Sequence, residues 1–287
     1  MSEYNSAKSR TPSVVVTGAS GLIGRRLLPL LNNLKTTAII NKYDKALPVD
    51  NVISADLKNK NEVKNIFSNI KPDIIFHFAA FSDRKYYVDL TSPPYNSRNV
   101  EILRASFLTM TENILDHISP DTHIIFPSTD KVFNGTDPYP NENSPTNPEW
   151  MRAKFKVDCE NLIIDRFTKY HILRVSMVHG IGSVESHSFI DKAIIDIKKK
   201  QLTKAYSNVY RCYILHSELS NLLYSLINDE HFGIYNVGSE MESYYQRICK
   251  VCREKIFHLK NISNRLKGTL VQCHRILIQQ KLGIRLI

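Results

Sequence analysis

From Ser13 the chain reads SVVVTGAS, a short β-branched run that stops at glycine and small residues. GLIGRRLLPLLNN follows, with Leu27, Leu28, Leu30 and Leu31 recurring at helical spacing, so strand, tight turn and helix are expected in that order. The alternation continues through TTAII, NVISADL, the helix-like NEVKNIFSNI and DIIFHFAA. The last is a near-continuous apolar run of the kind that forms a strand buried on both faces. A βαβα rhythm of this sort predicts a parallel sheet with helices on both sides.

A long helical stretch, NVEILRASFLTMTENILDHI, leads to THIIFPST and then to the Pro- and Asn-rich loop DKVFNGTDPYPNENSPTNPEW. A helix from about Trp150 to Phe167 precedes the strand YHILRVSMVHG. Beyond Gly182 the rhythm weakens to helices at SFIDKAIIDIKKK, HSELSNLLYSLI and ESYYQRICKVCREKIF and a strand at GIYNVG. Ile248, Cys252 and Ile256 mark one face of the last helix. The expected fold class is α/β, a doubly wound parallel sheet of the Rossmann type with a small C-terminal lobe. The core is expected over residues 11–180, completed by about 211–237, with most of 181–287 forming the lobe.

A chain of 287 residues supports a well-buried core. The first ten residues carry no apolar run, and no segment approaches the ~18 to 20 consecutive apolar residues that cross a bilayer, so a cytoplasmic location without membrane contact is expected. Five scattered cysteines argue for reduced thiols. The net charge of +10 is uneven: residues 241–287 carry ten Lys/Arg against two Glu. A solvated basic face explains that bias without nucleic acid, because no recognised nucleic-acid motif accompanies it.

TGASGLIG supplies Gly18, Gly21 and Gly24 between the predicted strand and helix. The first glycine permits the sharp turn, the second lets backbone N–H groups approach a pyrophosphate, and the third lets helix pack closely on sheet. Ser20, Leu22 and Ile23 complete this cofactor turn, and the helix N-terminus adds partial positive charge. The second strand ends Ile39-Ile40-Asn41-Lys42, without the carboxylate that would hold the ribose of NAD. Lys42, with Arg25 and Arg26 close in sequence, favours NADP(H), while Asp44 keeps NAD(H) open. Asp56 and Leu57, after the third strand, stand where an adenine contact is expected.

Taken together, TGASGLIG, ADL, DIIFHFAA, PSTDKVFNGTDPYPNENSPTNP and HILRVSMVHG resemble the extended short-chain dehydrogenase/reductases, and more narrowly the dTDP-4-dehydrorhamnose reductase-like branch. Ser128 to Gly135 carries the branch's S-T-D-x-V-F-x-G run, and RLKGTLVQ, Arg265 to Gln272, is a fainter echo of its C-terminal region. The resemblance implies hydride transfer from a nicotinamide to a 4-keto nucleotide-sugar. A tyrosine would act as general acid, a lysine four residues later would lower its pKa, and a hydroxyl at the end of the fifth strand would bind the carbonyl. Carried over, Thr129 takes the hydroxyl role, Lys154 the lysine role, and Trp150 stands where the tyrosine belongs. His77, Ala79 and Ala80 line the cofactor groove, Asn99 matches a helix asparagine of the wider superfamily, and Ser128, Val132, His179 and Arg211 face substrate, with Glu218 in the same return segment as Arg211.

An indole N–H has no useful acidity near neutral pH, so Trp150 cannot deliver a proton. The only Y-x-x-x-K spacing elsewhere, Tyr4 to Lys8, lies in the polar N-terminal arm, leaving His179 and Tyr139 as substitute donors. The neighbouring family of methionine adenosyltransferase regulatory β subunits offers a second reading, a binding module for a partner enzyme; a homodimer is the other assembly left open. Cys249, Cys252, Cys273 and His274 superficially resemble zinc spacing, but Cys252 falls on an apolar helical face, so no metal is expected.

Overall fold

The structure of the protein, a computed structural model, describes residues 10–41, 46–80, 86, 88–89, 93–180, 188–199 and 203–252, with the strand Ile284–Leu286. Lys42 and Asp44, the Tyr4–Lys8 pair, Ile256, Arg265–Gln272, Cys273 and His274 lie outside these residues. The chain divides into two compact units, Met1–Val175 with Ser217–Val237, and Ser176–His216 with Gly238–Ile287.

In the first unit the elements follow the predicted alternation. They are β1 (Ser13–Thr17), α1 (Leu22–Leu27), β2 (Lys35–Ile40), β3 (Asn51–Ser54), α2 (Lys60–Asn69) and β4 (Ile74–His77). Then come α3 (Ser97–Arg104), α4 (Met110–Leu115), β5 (His123–Thr129), α5 (Met151–Arg166) and β6 (Tyr170–Val175). A wider, π-type turn at Ala105–Thr109 joins α3 to α4, where the sequence reads as one unbroken helix. The first unit is completed by most of α7 (His216–Ser225) and by β11 (Gly233–Val237).

Seven strands form one sheet in the order β11-β6-β5-β4-β1-β2-β3, and every pairing is parallel. The expected doubly wound sheet is therefore present. The chain starts at β1, winds outward to β3 and resumes at β4 on the other flank of β1. The C-terminal ends of β1 and β4 thus border the topological switch point, where ligands of open α/β sheets bind.

Val14, Val15 and Val16 of β1 and Ile75 and Phe76 of β4 are fully buried. Phe67, Phe107, Phe126, Ile114, Ile163 and Ile172 share one core cluster with Val15 and Ile75. Burying each such side chain contributes about 1.5–3 kcal/mol. Asn59 caps α2 by accepting from the amides of Asn61 and Glu62. Among the described residues no helix is long and apolar enough to cross a membrane.

The second unit contains β7 (Met177–His179), α6 (Phe189–Lys198), β8 (Thr203–Ala205), β9 (Tyr210–Arg211), β10 (Tyr213–Leu215), β12 (Glu242–Ser243), a helix α8 over 244–252 and β13 (Ile284–Leu286). β7 pairs with β10, β9 with β12 and β8 with β13. The run that reads as one strand, YHILRVSMVHG, is thus divided at Ser176 between two sheets. Ile190, Ile194, Tyr213, Ile248, Cys249 and Cys252 form the unit's core. Cys249 and Cys252 are buried and form no disulfide among the described residues, and no metal-ligating group of three occurs among the described residues.

Candidate active site

Gly18 adopts φ +63°, and a Cβ there would lie 2.6 Å from the Ala79 amide nitrogen and 2.8 Å from the Phe78 carbonyl carbon. The turn after β1 therefore crosses the end of β4 at a distance only glycine allows. Gly24 packs equally tightly, its Cβ position 2.7 Å from Ala19 Cα and carbonyl oxygen. Gly21 is exposed and extended, with only the Gly18 carbonyl at 3.1 Å from its Cβ position. Arg25 is the first residue of α1 to donate back, to Gly21, so the amides of Leu22, Ile23 and Gly24 precede the first intrahelical acceptor. Ser20, Leu22 and Ile23 are half-buried around this opening, while Ala79 and Ala80 become progressively exposed after β4.

The junction is fixed from below by buried polar groups. Thr17 Oγ1 lies 2.8 Å from His77 Nδ1 and accepts from the Ala79 amide at 3.2 Å. His77 Nε2 meets Thr111 Oγ1 at 3.0 Å, and Thr111 donates to the Phe107 carbonyl at 2.8 Å. Burial, reinforced by the charge of Lys156, drives His77 down to about 3, so the imidazole is neutral and acts as scaffolding. Asp56 receives the Lys58 amide at 3.1 Å and stays partly exposed, whereas Leu57 is packed into the core. Asn99 sits in the first turn of α3, where its amide donates to the Asn96 side chain.

At the end of β5, Thr129 is half-buried and its Oγ1 receives the Lys131 amide at 3.3 Å. Ser128 points the other way: its hydroxyl donates to the buried Glu160 carboxylate. Glu160 in turn receives Arg174 through Nε at 3.2 Å and Nη2 at 2.9 Å, and Arg174 Nη1 donates to the Glu142 carbonyl at 3.1 Å. Val132 is fully buried. The structure thus commits Ser128 and Val132, expected to face substrate, to internal packing: Ser128 is the strand neighbour of Thr129 and faces the opposite side of the sheet, and Val132 is buried at the end of the 3-10 turn that follows.

Trp150 stands immediately before α5 and bridges Asp89 through its backbone. The residue is 37% exposed. Lys154 is exposed as well, its ammonium 3.2 Å from Asp158 one turn on. The inner face of α5 instead presents Arg152, Lys156 and Glu160. Lys156 is buried; its Nζ donates to the Pro127 carbonyl at 2.8 Å and lies 4.1 Å from the Phe126 ring centroid. Lys156 Nζ and the Arg152 guanidinium lie 5.6 and 5.5 Å from the centroid of the same ring, Phe107. Burial lowers Lys156 to about 8, aided by Arg152 and opposed by Cys159 and Glu160.

Four residues on from Trp150 the sequence offers Lys154, whereas the buried lysine of α5 is Lys156. Ala153 and Ile163 mark the buried stripe on which Lys156 and Glu160 also fall. An ammonium has three donors, and among the described residues Lys156 spends one, on Pro127.

In the second unit His179 is buried, and its Nε2 accepts from Arg247 Nε at 3.1 Å and Nη2 at 2.6 Å. Since a guanidinium only donates, this imidazole carries its proton on Nδ1. Arg247 Nη1 is 3.6 Å from Glu242, and its guanidinium stacks over Tyr213. Arg211 is half-buried on β9, opposite Glu242 of β12. Tyr139, the other substitute donor, is 83% exposed on the loop after β5.

Comparison with known proteins gives the family and the fold. The family model for the RmlD substrate binding domain matches residues 12–254. The methionine adenosyltransferase 2 subunit beta of Danio rerio is 28% identical over 167 residues, 58% of this chain and 48% of that protein. A dTDP-4-dehydrorhamnose reductase of Aggregatibacter actinomycetemcomitans is 30% identical over 171 residues, 58% of this chain and 52% of that protein. The matched region thus spans about half the length of these relatives. In fold the chain is similar to the dTDP-4-dehydrorhamnose reductase of Bacillus anthracis in complex with NADP, with a TM-score of 0.69 and 20% identity, covering 92% of this chain and 85% of that one. It is also similar to the Bordetella bronchiseptica enzyme WbmH in complex with NAD+, with a TM-score of 0.71 and 14% identity over 96% and 85% of the two chains. With the family model matching residues 12–254, well over half of its length, the chain belongs to the RmlD substrate binding domain family.

Proposed function

We propose that the protein binds NADP(H) at the β1–β4 switch point and acts, at a reduced rate, as a reductase of a 4-keto nucleotide-sugar. The observation that carries this reading is the inner face of α5, where Lys156 reaches the end of β5 and Arg152 precedes it by one turn. The opening at Gly21, with the amides of Leu22, Ile23 and Gly24 turned toward it, suits a pyrophosphate, and the two spare donors of Lys156 suit ribose hydroxyls. When bound, the nicotinamide supplies the hydride.

Thr129 then offers its hydroxyl to the substrate carbonyl, and Lys156 and Arg152 place positive charge near the oxygen that becomes an alkoxide. The phenol is absent, since neither position 150 nor position 152 carries tyrosine. Loss of a general acid costs about 10²–10⁴ in rate. The lysine role therefore moves from Lys154 to Lys156, and the tyrosine position from Trp150 to Arg152.

The test is restoration. With NADPH and a dTDP-4-keto-6-deoxy sugar, Arg152→Tyr is expected to raise NADPH oxidation about 10²-fold over the natural chain, and Trp150→Tyr to leave it unchanged. A gain in Trp150→Tyr alone refutes the register. A second reading, a regulatory subunit, is favoured by the likeness to methionine adenosyltransferase β subunits. It predicts NADP(H) binding without turnover in either variant, together with co-purification of a methionine adenosyltransferase.

A further inference from the structure

His123 opens β5 and His171 lies on β6, far from the switch point, at the opposite ends of the strands. His123 Nε2 and His171 Nδ1 are 2.8 Å apart and buried. Such a contact holds one proton: one ring nitrogen donates and the other accepts. On its far side His171 Nε2 makes no hydrogen bond of ordinary geometry among the described residues; it faces the His231 backbone and the Asp229 carboxylate, whose oxygen is 4.0 Å away. Asp229 is itself held by His231, through the backbone amide and Nδ1, each at 2.8 Å.

The cover over this pair comes from β11 and the turn before it. Phe232 packs against both imidazoles, at centroid distances of 5.2 and 5.4 Å, and Tyr235 stacks on His171 at 5.8 Å. Tyr235 is anchored by its hydroxyl, which donates to the His231 carbonyl. Gly233, the register partner of His171 on β11, leaves the space above the imidazole to these two rings. Among the described residues β11 is an edge strand, hydrogen-bonded only to β6. It also carries the contacts that fasten the loop after β5: the Asn236 amide donates to Glu142 Oε1 at 2.8 Å, and Asn236 Nδ2 to the Pro140 carbonyl at 3.1 Å.

We propose that the His123–His171 pair is an acid-sensitive latch: a second proton on the pair breaks their hydrogen bond, loosens β11 and, through Asn236, releases the loop at Pro140–Glu142. The step is steric as well as electrostatic, since two N–H groups cannot face each other at hydrogen-bond distance. Asp229 and the His231 backbone favour protonation, while Lys169, the His231 imidazole and, for His123, His171 itself oppose it. Burial outweighs all of them, holding His123 down to about 4 and lowering His171. The pair is thus neutral near pH 7 and takes up protons only when β11 opens.

Hydrogen exchange of the protein alone, without ligand, reads this directly and independently of the catalytic proposal. After correction for intrinsic exchange, the amides of β11 and of residues 140–142 lose protection from pH 6.5 to 4.5 by up to about tenfold per pH unit for each proton taken up on opening. Val14–Val16 of β1 keep theirs. In His171→Phe, which preserves the stack with Phe232 and Tyr235, that pH dependence weakens. Histidine ring NMR on the unaltered protein is the second measurement, with both imidazoles expected neutral at pH 5.5. Either ring titrating near 6.5 while β11 remains protected overturns the latch, as does loss of protection in β1 and β11 together.

Discussion

Replacing Lys156 with methionine removes a buried charge at nearly constant shape and is expected to stabilise the protein. Lys156 titrates at about 8 in place of 10.5, which corresponds to about 3 kcal/mol of penalty on the charged form in the fold. Losing the hydrogen bond to the Pro127 carbonyl leaves that oxygen short of a donor, at a cost of about 1 kcal/mol. The net gain is about 2 kcal/mol at pH 7, or roughly 4–8 °C in Tm. The sign follows from linkage: between pH 8 and 10.5 the unfolded chain binds the proton that the folded chain has lost, so the natural protein gains stability as pH rises through that window. The advantage of Lys156→Met is therefore full below pH 8 and fades above it. Cys159, pushed up to about 11, loses stability over the alkaline part of the range. Denaturant melts of the two proteins are therefore compared as a difference at each pH. NADP(H) affinity, followed by nicotinamide fluorescence, should fall in the same variant. A variant destabilised by more than about 1 kcal/mol at pH 7, or an advantage that does not change with pH, refutes the reasoning that Lys156 is retained at the expense of stability.

Glu160→Gln leaves Arg174 buried beside a neutral amide, so a loss of about 3–5 kcal/mol is expected in urea unfolding; a change within about 0.5 kcal/mol would show that the pair is dispensable. Calorimetric titration should find NADPH bound more tightly than NADH, because the second strand ends Ile40-Asn41 without a carboxylate, and equal affinities remove that argument.

The sequence by itself determined the sheet and the turn. β1, β4 and β5 are apolar on both faces, as only a strand covered by helices on both sides can be, and their spacing with α1 and α2 left one winding. Gly18 and Gly24 were legible for a local reason, since a positive φ and a helix pressed on a strand each exclude a side chain. The face of α5 was not legible in the same way. Its buried stripe carries Lys156 and Glu160 as well as Ala153 and Ile163, so polarity no longer separates inside from outside, and Lys154 and Lys156 look alike along the chain. Residues two positions apart on a helix differ by about 200° in direction, and the partners that decide between them, Pro127, Phe126, Arg174 and Ser128, arrive from β5 and β6. Ser128 and Val132 turned inward for the same reason. His123 and His171 meet only because β5 and β6 are neighbours, and β11 reaches them from a third region of the chain. Periodicity records which positions avoid water; which buried polar groups answer one another depends on distances that exist only after the strands are side by side.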